Sequence, residues 1–346
     1  MNGGIFLKEQ IYFGTYTKKT SQGIYHAFLD TDTAQVSTPQ VAITVENPTY
    51  LTITDQTLLT VAKEGPLGGI AAYELADDSY VLTDDALVAG PNPCYVAFDK
   101  KRSLVYTANY HKGQIDVYRL NNDKTLTLCD SVVQTGYGHG PRKEQDGSHV
   151  HYTDLTPDGR LAVVDLGNDT VSTYDISAEG KLAPVSILKT KAGLGPRHLV
   201  FAPDKKTAYL VGELSSTVSV LDYDLTTGAF YLRQTVSTIP DDWTEHNGAA
   251  AIRISNDGRF VYVSNRGHNS LAVFEVLDGE LKLIQHLTTH GDFPRDFALD
   301  PTERFILVAN QNTDNATLYT RDQETGLLAC CQKDIPLPEG VCVYFK

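Results

Sequence analysis

The chain has 346 residues, 41% of them hydrophobic, with 29 Lys and Arg against 43 Asp and Glu, a formal net charge of −14. The acids are scattered rather than gathered in a tail, which excludes a sequence-independent nucleic-acid footprint, and no run of about 18 apolar residues offers a membrane span. The five cysteines, Cys94, Cys129, Cys330, Cys331 and Cys342, are odd in number and lack CxxC or Cys/His zinc spacing, which predicts a reduced, cytoplasmic protein.

The opening MNGGIFLKEQ has no basic stretch followed by a long apolar run, so no export signal is expected there. Strands are predicted at Ile11 to Tyr16, at Gly23 to Leu29 and around Gln40 to Val45; they read as the second, third and fourth strands of a sheet whose first is missing. Six related phrases follow: NPTYLTITDQTLLTVAKEG, NPCYVAFDKKRSLVYTANYHKG, HVHYTDLTPDGRLAVVDLGND, PRHLVFAPDKKTAYLVGELSS, AAAIRISNDGRFVYVSNRGHNS and FPRDFALDPTERFILVANQNTD. Each has an anchor, an alternating apolar stretch, a turn, a second β-rich stretch and a polar stop. The anchors Pro48, Pro93, Val150, Pro196, Ala249 and Pro294 are spaced by 45, 57, 46, 53 and 45 residues, the period of one propeller blade.

Each interval holds four antiparallel strands; in the fourth they are predicted at His198 to Ala202, Ala208 to Val211, Thr217 to Tyr223 and Ala229 to Thr235. The end of the chain, Pro338 to Phe345, has the form of the missing first strand. The predicted fold is therefore all-β: a seven-bladed β-propeller, four antiparallel strands per blade, forming a single domain over residues 1–346. Its last blade is closed by the N-terminal strands plus the C-terminal strand, which leaves no open sheet edge at the seam.

In such a ring the start of the first strand and the end of the second share one rim, and the turn between them lies on the other. Turns such as Pro157-Asp158-Gly159-Arg160 read as turn chemistry and solvated charge. The opposite rim is predicted to collect His111, His139, His149, His151, His198, His246, His268 and His290, leaving His26 and His286 in outer strands. It also receives Arg197, Arg266, Arg295, Glu213, Asp165, Asp296, Asn109, Asn247, Asn265 and Asn310. Innermost strands carry these groups to the channel mouth, so the active site is expected there. Two insertions, 136–147 and 239–245 with the lone Trp243, are expected to rise on that rim and cover a small ligand.

The phrases SHVHYTDLTPDGRLAVVDLGND, GPRHLVFAPDKKTAYLVGELSS, AAAIRISNDGRFVYVSNRGHNS and FPRDFALDPTERFILVANQN, with the opening IYFGTYT and closing VCVYF, resemble the seven-bladed propeller lactonases. That family includes bacterial 6-phosphogluconolactonases and a fungal carboxy-cis,cis-muconate cyclase. The resemblance implies hydrolysis or formation of a lactone without a required metal or other cofactor. It also implies a site of one histidine, two arginines and a glutamate: His149 or His151 in SHVHY, Arg197 in GPRH, Glu213 in GELSS and Arg266 in SNRGH.

Opening a lactone needs an activated water, a charge on the tetrahedral oxyanion and a proton for the departing alkoxide. These residues suggest Glu213 as general base, Arg197 or Arg266 on the oxyanion and His151 or His149 as proton donor. Arg295, with Asn247, His246 and Asn310, is a candidate for binding the substrate, Arg295 through a phosphate. The bland readings are an Arg197–Glu213 ion pair tying two strands, His198 as an interblade histidine, and asparagines that bond backbone at strand ends. A cation at His149, His151 and Asp165 or Glu213 is disfavoured by the arginines beside it. The expected partner is a small anionic lactone, most simply 6-phosphogluconolactone, for a monomer or small homo-oligomer without nucleic acid or membrane. The alternatives are a lactonase or cycloisomerase acting on another lactone, such as a carboxymuconolactone, and a non-catalytic binding platform.

Overall fold

The computed structural model describes residues 8–76 and 79–346; the expectation placed on the opening segment falls on residues 1–7, outside the described residues. Seven antiparallel sheets follow one another around a ring. In the fourth, the strands run from the channel outward as Pro196–Phe201, Thr207–Gly212, Thr217–Asp224 and Ala229–Ser237. The seventh is composite: Gly340–Phe345 is innermost and pairs with Lys8–Thr15, with Phe13 opposite Val343. Its outer edge is split, because Gln35–Val36 and Gln40–Thr44 both pair with Gly23–Asp30. The two chain ends thus form one sheet, as the sequence predicts.

Blades cohere because each buries its faces against both neighbours. Apolar clusters join the second to fourth blades through Tyr106, Leu161 and Leu210, the fifth to the sixth through Phe260 and Ile306, and the sixth to the seventh through Leu307 and Phe13. Another joins the seventh to the first through Tyr12 and Leu58. Second strands such as Phe305–Asn310 are buried along their whole length, whereas outer strands such as Ser79–Ala89 are half exposed. Burial of apolar surface between sheets, at about 25 cal/mol per Å², is therefore the term that closes the ring.

The turns between first and second strands form the plain rim. Gly159 and Gly258 occupy the left-handed region there, at φ 84° and 75°. Their arginines do more than carry solvated charge, although Arg259 and Arg304 remain exposed. Arg160 donates to Leu225 O, Arg259 to Gln323 O and Arg304 to Thr31 O, each on the next blade. A long guanidinium at a turn reaches a neighbouring carbonyl, so these residues latch adjacent blades.

The site depends on an irregularity in the innermost strands. Pairing runs from Val150↔Asp165 to Tyr152↔Val164, from Pro196↔Gly212 to His198↔Val211, and from Pro294↔Asn310 to Asp296↔Ala309. One residue is left over each time: His151, Arg197 and Arg295. A β-bulge lets its extra side chain leave the sheet plane, here toward the axis.

Candidate active site

Two rings of equivalent positions build the mouth. The first comprises the bulged residues His151, Arg197 and Arg295, with Cys94 and Thr49 at the corresponding positions just before Tyr95–Asp99 and Leu51–Ile53. The second comprises residues at the ends of second strands: Glu213 after Thr207–Gly212, Arg266 closing Phe260–Arg266, Tyr110 after Leu104–Asn109 and Tyr16 after Lys8–Thr15. Together they line a cavity of about 280 Å³, with Arg197 on its floor.

At its base, Glu213 lies between two guanidiniums: Arg197 Nε is 3.0 Å from Oε2 and Arg266 Nη2 is 2.9 Å from Oε1. The Arg197 N–H is not aimed at the carboxylate, so that contact is ionic rather than a linear hydrogen bond. Arg197 also donates to Ala250 O at 2.8 Å, and Arg266 to Gly248 O at 3.1 Å. Burial pushes the Glu213 carboxyl up, but the charges of Arg266 and then Arg197 outweigh it and hold it below the ordinary carboxylate range. Arg197 is lowered to about 9, by burial first and then by repulsion from Arg266.

His151 is 4% exposed and its Nδ1 has no hydrogen-bond partner among the described residues. Burial, then the charges of Arg197, Arg295 and Arg266, pull its pKa well below the ordinary histidine value, which favours the neutral imidazole. His149 does not accompany it. The strand begins at Val150, so strand alternation does not extend to His149, and the bulge at His151 breaks the alternation further. The His149 ring stacks on Tyr110 at 4.3 Å, its Nδ1 lies 2.8 Å from Tyr110 O and its Nε2 3.0 Å from Asp146 Oδ1. It props the Tyr110 wall from behind.

The other expected groups have structural contacts instead. Asn247 Nδ2 donates to Ser216 Oγ and its Oδ1 accepts from His268 N; Asn310 Nδ2 donates to Thr289 O. Both are buried turn locks, because a short amide at a strand end reaches the neighbouring loop backbone before it reaches the axis. Asn109 and Asn265 do the same with Pro91 O and Thr238 O. His246 is exposed on the rim and does not line the cavity. Asp165 accepts from His149 N, and Asp296 pairs with Arg253 at 2.8 Å.

Neither insertion contributes a lining residue: Trp243 packs edge-on against His268, 4.7 Å between centroids. His198 does contact neighbouring blades, but at the axis rather than between sheet faces. The bulge at Arg197 turns it to the axis, 5.1 Å from His151 and 5.3 Å from Tyr95, in an aromatic layer with Tyr50 and Tyr152 beneath the cavity. Tyr16, Cys94 and Tyr110 line the mouth and were missed in the sequence, whereas His111, expected on this rim, lines it as well. Aligning the repeats position by position would have exposed the first three, since they share columns with Glu213, Arg197 and Arg266. Among the described residues, no three His, Cys, Asp or Glu side chains cluster as a metal site would require.

The family model described as "Lactonase, 7-bladed beta-propeller" matches residues 10–345. The chain is 42% identical to the 6-phosphogluconolactonase of Bacillus subtilis strain 168, over 96% of this chain and 97% of that one. A Lactobacillus plantarum crystal structure superposes with a TM-score of 0.96 at 55% identity, covering 98% of this chain and all (100%) of the other. The periplasmic gluconolactonase of Pseudomonas aeruginosa gives a TM-score of 0.91 at 29% identity, covering 98% and 99%.

Proposed function

This chain belongs to the lactonase family of seven-bladed β-propellers, and from that premise we propose that it hydrolyses 6-phosphogluconolactone to 6-phosphogluconate at the His151–Glu213 mouth. The relative named for that reaction supports the substrate, and one arrangement supports the chemistry. A carboxylate shared by two buried guanidiniums sits beside a neutral imidazole with a vacant nitrogen, in a mouth of about 280 Å³.

The roles differ from those suggested by residue type. Glu213, with one oxygen on Arg197 and the other on Arg266, has both oxygens engaged and acts as a positioning residue that orients both guanidiniums. His151 is the general base: it takes a proton from the attacking water, whose oxygen bonds to the lactone carbon. Arg197 and Arg266 face the carbonyl oxygen as it becomes an oxyanion, with no reorganisation required. When the ring C–O bond breaks, the imidazolium returns its proton to the departing alkoxide, leaving a carboxylic acid and an alcohol.

The site is completed within one chain, which suits a monomer or a small homo-oligomer. We place the protein in the cytoplasm, where its five unpaired thiols would persist; among the described residues no helix is long and apolar enough to cross a membrane. The reading is tested by following hydrolysis of fresh 6-phosphogluconolactone through a coupled dehydrogenase. Acceleration over the uncatalysed blank supports it, and a rate equal to the blank overturns it.

A further inference from the structure

The three arginines of the mouth are not equivalent. Arg197 and Arg266 share Glu213 and donate to backbone carbonyls. Arg295 makes no hydrogen bond or ion pair with any described residue; its contact is the face of Tyr16, 5.5 Å from the ring centroid. As the bulged residue of Pro294–Leu299, it enters the channel as Arg197 does from Pro196–Phe201. The neighbouring Asp296 is already committed, to Arg253 at 2.8 Å and to the Val343 N–H at 3.0 Å.

Three guanidiniums and one carboxylate leave the mouth with a formal excess of +2 (3 − 1) in a chain of net −14. Charges withdrawn from water seek partners, and an unpaired guanidinium lining a cavity is a vacancy for an anion. A second cation stands on the same ring: Lys18 Nζ is 4.0 Å from the Tyr16 centroid. Its loop is fixed by the buried Glu339, whose carboxylate accepts from the N–H groups of Lys18 and Lys19, both at 2.9 Å, and of Ser21 at 3.2 Å. Lys18 is therefore held at the rim although its side chain is exposed.

We propose that Arg295, with the exposed Lys18 against the same Tyr16 ring, is the specificity-determining anion subsite. It would take the phosphate of a lactone whose ring lies over His151 and Glu213. A planar guanidinium matches two phosphate oxygens and the ammonium takes a third. The subsite lies at the seam, where the sixth blade meets the composite seventh, so ring closure assembles it. The kinetic readout rests on the lactonase reading; the binding readout does not.

The test compares wild type, Arg295→Gln and Lys18→Ala on 6-phosphogluconolactone and on glucono-δ-lactone, and measures calorimetric binding of 6-phosphogluconate and gluconate. Thermal unfolding controls for folding, and Arg295→Lys is the second variant should Arg295→Gln not fold. The ratio of kcat/KM for the phosphorylated over the plain lactone falls by about 30-fold or more in Arg295→Gln, through KM. Lys18→Ala lowers it by roughly fivefold, with a strong salt dependence. Binding of 6-phosphogluconate weakens in parallel.

Equal losses on both lactones, or unaltered 6-phosphogluconate binding, overturn the proposal. If wild type hydrolyses neither lactone, the lactonase reading fails alone. Calorimetry then still decides the subsite, which stands if wild type prefers 6-phosphogluconate to gluconate and Arg295→Gln abolishes the preference, and falls if wild type shows none. Preference for a carboxylated lactone over the phosphorylated one also overturns the assignment.

Discussion

Glu213 of the fourth blade holds Arg266 of the fifth at 2.9 Å, and through the same carboxylate it holds Arg197 of its own blade at 3.0 Å. Two buried cations are thus fixed by one anion, and removing that anion leaves both uncompensated. Glu213→Gln keeps the shape but loses the charge. We expect it to lower kcat by about 100-fold and to destabilise the fold by roughly 3 kcal/mol. Initial rates and urea unfolding check the two effects; an unaltered midpoint with a normal rate would contradict the positioning role.

Arg266→Lys preserves charge but not the fork. A single ammonium cannot reach both Glu213 and Gly248 O in the geometry Arg266 uses at 2.9 and 3.1 Å. A fall in kcat of roughly 100-fold with little effect on KM is expected. A rise in KM at constant kcat would instead assign Arg266 to ground-state binding.

The buried imidazoles give stability a pH signature. His151 and His198 both have folded-state pKa values lowered below 6.5, by burial first and then by Arg197. Below pH 6.5 the unfolded chain binds protons that the folded chain refuses, so their contribution to stability is lost as pH falls through that value and is complete above it. Each adds up to about 1.4 kcal/mol per pH unit. Asp154, pushed up by burial to about 6, and Glu9, pushed up by burial and then by Asp300 to about 7, act in the opposite sense. The clean test is therefore a difference. Between pH 6.5 and 5, unfolding of His198→Asn should depend on pH less steeply than wild type by up to about 1.4 kcal/mol per unit, and equal slopes would show that His198 is not held neutral.

The seam has its own test. A Cβ on Gly14 would meet Pro48 O at 2.5 Å and Cys342 Cβ at 2.9 Å, between the N-terminal and C-terminal strands of the composite blade. Gly14→Ala should cost about 2 kcal/mol or more. Gly147→Ala, with nothing within 4 Å of the new atom, should stay within about 0.5 kcal/mol of wild type. Equal melting temperatures for the two variants would refute the close packing of the seam.

Much of this was legible in the sequence because the ring repeats. The pulse of anchors placed six blades, and Pro338 to Phe345 could be matched to the missing first strand of the seventh because it has the anchor-plus-alternation form of a first strand. Side-chain direction was less legible. Strand alternation alone would set His149 and His151 on one face and turn His198 away from Arg197, because period-two reasoning presumes an unbroken ladder. The bulges that break it leave no mark in apolar patterning. Asn247 and Asn310 reached the correct rim but not the mouth, because whether an amide meets a loop carbonyl or a ligand depends on loop paths that the repeat does not encode. Arg160 escaped as a latch for a similar reason: its partner, Leu225 O, is 65 residues away.

The most direct test of the account is the initial rate on freshly generated 6-phosphogluconolactone, above the uncatalysed blank, for wild type and His151→Ala. The account predicts clear acceleration by wild type and a loss of at least about 100-fold in a variant that melts normally. Acceleration that survives the loss of His151 would contradict it and move the chemistry away from this mouth.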